Sequence, residues 1–462
     1  MKKRWLKTLL SDYGSVLILI LLCAYYCVVT WSEQHPDTPR AGRQIAQTVV
    51  AEFGPDAGVI VVVRDTNHDR AFAEAVQTEL TSGGANVIEV IHAGRPYPAR
   101  ARQAIEKAAG SSTAVDAMIT HHAGARWGPL QPSKLTELAT RFPALEKAQV
   151  RWPQSYMWPS FFTRENLLNV LKNNAEIAII AIGMTMVIIT AGIDLSVGSL
   201  LALCAVITAV TIQGWAGGKE ASGLGVVGCC VIGAGTGAMC GAFSGVMVTL
   251  FRVPAFIVTL ALLMIARGLA LIVSVRYQQT ISGGATAGTP EAVRIQYEGF
   301  GWLSNGATLG IPNPILLMVL LYVLAHIVMT HTPFGRYIYA VGGNREAARL
   351  SGVPVVAVLI LVYAICGAMA GLGGIVDASR FLGGRPTAGE LYELQVIAAV
   401  VVGGTSLAGG EGRIFGTFVG AIIIAVIQNG LNMAGVSPYE RMVVFGGLIL
   451  TAVVLDQLKT RQ

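Results

Sequence analysis

Few side chains in this 462-residue chain have the spacing that catalysis or metal binding needs. His121-His122 is the one adjacent histidine pair, and neighbours on a strand point to opposite faces, so these imidazoles do not converge on a metal. All seven cysteines (Cys23, Cys27, Cys204, Cys229, Cys230, Cys240 and Cys366) lie in apolar segments and read as small buried hydrophobes. Cys23 and Cys27 share a helix face, but two sulfurs without further ligands make a poor metal site. Gly217-Gly-Lys-Glu220 is the nearest approach to a phosphate-binding loop. It lacks both the upstream glycine and the Ser/Thr that would hold magnesium. No His-Glu-x-x-His, Cys-x-x-Cys or nucleophile-elbow pattern occurs. The expectation is a chain with no catalytic residue, no metal and no cofactor of its own, unable to hydrolyse ATP alone.

The polar groups with leverage are those inside apolar stretches, because a charge at mid-membrane costs about 3 kcal/mol even on lenient scales. Asp194 sits at an apparent helix break beside Ser196 and Ser199, and Arg267 lies mid-span in an apolar helix. Each needs a partner, and the simplest expectation is that they pair, either to lock helices together or to meet a solute. Glu411 and Arg413 adjoin a glycine-rich loop and read as structural.

The elements that must position these groups follow from composition. Hydrophobic residues make up 53% of the chain, charged residues 13%, and glycine 54 residues, with a mean hydropathy of +0.59. That excludes a soluble enzyme, a disordered chain and a coiled coil, and it fits packed transmembrane helices with small residues at their contacts. Charge is uneven. Glu33 to Glu165 holds 14 basic and 14 acidic residues, so the whole net charge of +6 falls on the apolar remainder and its flanks. Such an excess suits positive-inside loops and a lipid surface, not nucleic acid.

The basic N-terminus followed by an apolar run, Ser15 to Trp31, reads as a retained signal anchor with its N-terminus inside. Residues 36–155 read as a soluble insert. Strands are expected at Gly58–Val63, Asn86–Ile91 and Val115–Thr120. Helices are expected at Asn67–Thr81, Pro98–Ala109 and Ser133–Ala148, the last capped by Ser133. Alternating strands and helices imply a parallel sheet. Past the aromatic cluster Trp152 to Trp158, apolar helices are expected near 166–190, 196–213, 223–250, 254–275, 312–330, 354–379, 391–406, 413–434 and 440–457. With the first helix these make ten, or nine to eleven allowing for breaks. Ten spans place both termini, with Lys459 and Arg461, and the loop 331–353 on the inner side, and the insert outside. The fold class is thus an all-α polytopic membrane protein with an inserted extracytoplasmic α/β lobe. Its divisions are 1–35, 36–155 and 156–462. A weak internal echo relates Gly241-Ala-Phe-Ser-Gly245 to Gly416-Thr-Phe-Val-Gly420. Breaks at Ile193–Ser199 and Gly403–Gly409 accompany it, a pattern seen in transporters built from two halves.

The loop 331–353 is the informative polar segment. Asn344 is a good N-cap, Glu346 in the first turn suits the helix dipole, and Gly352 before Pro354 stops the helix after two turns. A short capped helix between two spans on the inner face is either a docking element or an ordinary connector. Glu346-Ala-Ala-x-x-x-Gly352 resembles the coupling motif of ABC importer permeases. Gly192–Ser199, Thr259–Gly268, Gly335–Gly352, Val402–Gly412 and Ile427–Asn432 resemble, in order, segments of ribose-type ABC sugar permeases. The resemblance covers about residues 160–457.

It implies a permease in the plasma membrane that moves a monosaccharide by alternating access. The partners implied are cytosolic ATPase subunits, an extracytoplasmic solute-binding protein and a second permease copy. Coupling falls to Asn344, Glu346, Ala347, Ala348 and Gly352. The pathway or helix-locking set is Asp194, Ser196, Arg267, Asn429 and Asn432, the asparagines with Gln428 being able to bond sugar hydroxyls or to glue helices. Nucleosides or branched-chain amino acids are alternative solutes, and a membrane-anchored sensor is the alternative class. The insert departs from the pattern. Its outer position suits docking or gating, and Asp65, Asn67 and Asp69, after the first strand, are candidates for weak polyol contact.

Overall fold

Helix formation along most of the chain follows from runs of apolar residues that can satisfy their backbone polar groups only internally once in lipid. The computed structural model describes residues 2–110, 113–281 and 290–460; Met1, Arg461 and Gln462 lie outside the described residues. The chain divides into two compact units, Trp31–Ser160 and the rest.

The first helix is α1 (Lys2–Val29), whose apolar part is Gly14–Val29. The second unit opens and closes with an antiparallel ribbon of β1 (Trp31–Gln34) and a later strand. Between them run α2 (Pro39–Phe53), β2 (Gly58–Arg64), α3 (Asn67–Ser82), β3 (Asn86–Ala93), α4 (Tyr97–Ala109), β4 (Ala117–Thr120), α5 (Pro132–Ala139) and β5 (Gln149–Arg151), before β6 (Tyr156–Pro159) closes the ribbon. The sheet is wholly parallel in the order β3-β2-β4-β5. Its central strand buries both faces, as a near-continuous β-branched run requires. Val59, Val61 and Val63 pack with Ile45, Val49, Phe72 and Leu80. Ile60 and Val62 pack with Ile105, Leu130 and Leu145 on the other side.

Three expectations for this unit change. Helix α2 was not expected, although Thr38 caps it by accepting from the Ala41 amide at 3.4 Å, and Pro39 follows at N1. The helix expected over Ser133–Ala148 ends at Ala139, and Gln131 rather than Ser133 is its cap. Pro143 forces Phe142 to an extended conformation, so the chain turns and enters the fourth strand. His121 and His122 lie beyond the end of β4, in a short helical turn rather than on a strand.

In the apolar unit, α6 (Arg164–Ile189), α7 (Val197–Gly214), α8 (Gly223–Thr249), α9 (Ala255–Ile281) and α10 (Asn313–His331) are followed by two short helices, α11 (Pro333–Gly343) and α12 (Arg345–Leu350). Then come α13 (Val355–Phe381), α14 (Tyr392–Val402), α15 (Ile414–Met433) and α16 (Pro438–Thr460). Among the described residues, seven helices are long and apolar enough to cross a membrane: α6 to α10, α13 and α15. Helix α14 is shorter than the expected 391–406, since Gly403-Gly404 ends it, Gly404 taking φ +90°.

The closest packing joins α8 and α13. Gly237, Gly241 and Gly245 recur every fourth residue and form one buried stripe. A Cβ on Gly237 would overlap the Gly367 carbonyl oxygen, and one on Gly241 would overlap the Tyr363 carbonyl. A Cβ on Gly245 would sit 2.6 Å from Ile360 Cα. Backbone meets backbone here because lipid supplies no hydrophobic force between helices and van der Waals fit must hold them. Gly235, on the same helix, has open space around it. Gly235→Ala should therefore leave stability unchanged or raise it by up to about 1 kcal/mol through helix propensity. Gly237→Ala should lower it by about 1–3 kcal/mol through overpacking. Thermal unfolding of the two variants in one detergent checks the opposite signs.

Candidate functional site

The connector between α10 and α13 is built by its caps. Thr332 Oγ1 accepts from the Gly335 amide at 3.3 Å and starts α11. Asn344 Oδ1 accepts from the amides of Glu346 at 3.1 Å and Ala347 at 2.9 Å and starts α12. Gly352, at φ +84°, reverses the chain, a conformation that L side chains resist. Ala348 faces inward, whereas Glu346 and Arg349 are exposed and paired with each other. Leu350 is 77% exposed on the same short helix, an apolar side chain that sequence reasoning passed over. The connector is tied to the bundle behind it. Tyr339 Oη donates to the Gly412 carbonyl at 2.8 Å, and the Gly410 amide donates to the carbonyl of Ile189, the last residue of α6, at 2.8 Å.

Just beyond Ile189 the chain breaks. Asp194 is fully buried in the break, its Oδ1 accepting from the Ser196 amide at 2.9 Å and from Ser196 Oγ at 2.6 Å. The Thr259 hydroxyl donates to the Ile193 carbonyl at 3.3 Å. Tyr363 and Cys366, well inside α13, neighbour Asp194. The interruption between α6 and α7 thus sits within the bundle and not at its rim.

Arg267 does not pair with Asp194. Its Nη1 donates to the carbonyls of Pro386 and Ala388, both at 2.8 Å, in the turn between α13 and α14. The expectation fails because both groups find backbone partners nearer than each other. Asn429 is drawn into a reciprocal amide pair with Asn166, at 3.1 and 3.0 Å, which joins α15 to α6. Asn432 is exposed near the end of α15 and is not brought together with Asp194.

The charged cluster that sequence reasoning missed lies where α6, α13 and α14 meet. Glu176, buried where the apolar part of α6 begins just after Lys172, Asn173 and Asn174, is 3.1 Å from Arg380. Tyr392 Oη donates toward the Glu176 carboxylate at 3.5 Å. Arg380 also donates to the carbonyls of Lys172 at 2.8 Å and Asn173 at 3.3 Å. One turn away, buried Asp377 pairs with Arg385, whose guanidinium lies 3.8 Å over the Phe381 ring. An acid within an apolar helix and an Asp-x-x-Arg step inside another were the available signals.

In the other unit, Asp65 is exposed and held by Arg70 at 2.6 Å, and Asn67 is exposed in the first turn of α3. Asp69 is fully buried, with Arg64 at 2.5 Å and His121 Nε2 at 3.2 Å. Burial acts to raise its carboxyl, but the Arg64 hydrogen bond and the His121 and Arg64 charges outweigh it and hold the group below the ordinary carboxylate range. Burial pushes His121 below the usual histidine value against the pull of Asp69. Asp69 is therefore spent inside the fold and is not free to meet a polyol, which corrects the expectation for that residue.

Long apolar helices, one broken around a buried carboxylate, with a capped connector anchored to the same break, define a polytopic membrane permease component. The chain belongs to the family described as branched-chain amino acid transport system / permease component, whose model matches residues 166–453. It is 44% identical over 305 residues to the ribose import permease protein of Escherichia coli (strain K12), covering 66% of this chain and 89% of that one. To the ribose import permease protein of Bacillus subtilis (strain 168) it is 42% identical over 306 residues, with the same coverage of each chain. The xylose transport system permease protein of Escherichia coli (strain K12) is 34% identical over 351 residues, 66% of this chain and 87% of the relative. No solved structure matches the chain. The protein is thus a multi-pass inner-membrane transporter component, not an enzyme.

The geometry separates true pairs from expected ones. Glu176→Gln and Arg380→Gln, made singly and together, should be non-additive by more than about 0.5 kcal/mol. Arg380→Gln should be the costlier, about 3–5 kcal/mol, because it strands a buried carboxylate, whereas Glu176→Gln leaves Arg380 two carbonyls. Asp194→Asn and Arg267→Gln should add to within about 0.5 kcal/mol. Denaturation of both cycles in detergent micelles measures this.

Proposed function

We propose that this chain is the membrane-spanning subunit of an ABC importer that moves a monosaccharide of the ribose–xylose class inward by alternating access. The carrying observation is the 44% identity that extends over 89% of a ribose import permease. Separate cytosolic ATPase subunits bind and hydrolyse ATP, and an extracytoplasmic solute-binding protein delivers the sugar to a dimer of permease copies. Counting α1, α14 and α16 with the seven long helices gives ten spans. An even count puts both termini and the α11–α12 connector in the cytoplasm and the unit Trp31–Ser160 outside, where a docking role suits it. In this reading α12 seats in a groove of the ATPase. Asn344 starts that helix, Ala347 and Ala348 keep it slim, Glu346 and Leu350 face the partner, and Gly352 turns the chain back. Asp194, Ser196 and Arg267 hold the break and the turn that must move when the pathway opens.

The family description names branched-chain amino acids, so uptake assays should compare ribose, xylose, leucine and a nucleoside in cells expressing the whole importer. Competition by ribose or xylose alone is the expected result; leucine uptake would replace the sugar reading. Coupling is tested separately. Glu346→Lys exchanges an exposed ion pair for repulsion without touching the bundle, so folding should survive. Substrate-stimulated ATP hydrolysis by the assembled importer should fall at least about tenfold, 1.4 kcal/mol of lost coupling. Normal stimulation would leave α12 a plain connector.

A further inference from the structure

The order of strands in the unit Trp31–Ser160 singles out one position. From β2 the chain moves outward to β3 on one side, then returns across to β4 on the other, so the direction of winding reverses between β2 and β4. In open parallel sheets, ligands sit in the crevice beyond the carboxyl ends of the strands at such a reversal. Arg64 is the last residue of β2, and His121 directly follows Thr120, the last residue of β4. A cavity of about 330 Å³ lies there, within the size range of small-molecule sites, lined by His35, Asp37, Arg64, His121, His122 and Arg126.

The lining decides the chemistry. It brings two guanidiniums and three imidazoles against one lining carboxylate, with Asp69 beneath already paired with Arg64. That carboxylate, Asp37, is already 3.0 Å from His68 Nε2. Arg126 makes no ion pair among the described residues. The His122 ring stacks on His35 at 3.5 Å with the planes 5° apart, and His35 is fixed in turn by Ser155 at 3.0 Å. Both His122 ring nitrogens are buried without a hydrogen-bond partner among the described residues, an arrangement that costs free energy unless a ligand answers it. Burial foremost, then His35 and Arg126, pushes His122 below the ordinary histidine value against the pull of Glu33. Each neutral imidazole offers one donor and one acceptor, whereas Arg126 offers donors alone and carries a full positive charge, which an anion answers better than a neutral polyol.

We propose that the cavity between the ends of β2 and β4 is a binding site for a small oxyanion, a carboxylate or phosphate group, gripped by Arg126 and the imidazole of His122 with Arg64 behind them. The Asp69–Arg64–His121 group is its floor, holding Arg64 in place from beneath. This site stands on the lobe's own geometry and does not rest on the transport reading, so the two can fail independently.

Equilibrium dialysis of the full-length chain in detergent, with labelled inorganic phosphate, succinate and ribose in separate arms, tests it. Saturable, one-to-one retention of phosphate or succinate is expected, the arm that binds more tightly telling a phosphate from a carboxylate ligand. Arg126→Gln and His122→Ala should each weaken that binding at least about tenfold. Arg126 is exposed, so its variant should keep the parent's thermal midpoint and serve as the folded control if His122→Ala unfolds the lobe. Three results would overturn the proposal: no retention of either anion at millimolar concentration, retention of ribose alone, or anion binding that Arg126→Gln leaves unchanged.

Discussion

The contact on which the apolar unit depends is the approach of two backbones, α8 and α13, along the stripe Gly237, Gly241 and Gly245. No side chain separates the helices there, so the position of α13 follows from the shape of α8 with little freedom. Three features then hang on α13. Its first turn follows the α12 connector, its middle presents Tyr363 and Cys366 to Asp194, and its last turns carry Asp377 and Arg380. A helix held this way transmits displacement as a rigid rod, because interlocked backbones cannot slide without opening voids. Gly416 and Gly420 repeat the device against Gly403 and Ala399, so the sequence echo marks two close helix contacts.

Charge inside the bundle is met both by acid–base pairs, Glu176–Arg380 and Asp377–Arg385, and by backbone carbonyls. Arg267 and Arg380 each fork onto two carbonyl oxygens, one pair in the turn between α13 and α14, the other on α6. Arginine suits this task because its planar donors reach two carbonyls at once, and Arg380 has a further donor for Glu176. Asp194 is treated the opposite way. Ser196 donates twice to its Oδ1, and the Cys366 thiol is its other close side-chain neighbour. A buried carboxylate held by hydroxyl, amide and thiol groups, with no cation on it among the described residues, is where a small change of geometry has a large electrostatic consequence.

Element positions in the apolar unit were legible because a run of apolar residues long enough to span lipid has few alternatives to a helix. Partners were not. The pairing of Asp194 with Arg267 was the economical guess when only side chains could be counted, and carbonyl acceptors leave no mark in a sequence. Glu176 was visible as an acid in an apolar helix, but its partner Arg380 lies 204 positions away and is found only once the helices are packed. In the other unit, the β-branched run Gly58–Arg64 announced the central strand. Asp69 looked like a surface acid after that strand, and only the fold shows it buried under Arg64 and His121. The caps at Asn344 and Gly352 were legible in full, since capping is a local property of a few residues.

A chain of backbone contacts leads from the connector toward the buried aspartate. Helix α11 is bonded through Tyr339 to Gly412, and the same glycine loop, through the Gly410 amide, is bonded to Ile189 at the end of α6. Gly342 and Gly409 let the chains touch without side chains between them, the Gly342 carbonyl oxygen lying 3.0 Å from a Cβ built on Gly409. Five residues past Ile189 is Asp194. On the coupling role proposed for α12, a displacement of the connector would pass through these backbone contacts into the break, which is free to bend because it carries no continuous helical ladder. On the same proposal, with α13 locked to α8, the displacement would be spent in the break beside Asp194 instead of being shared across the bundle.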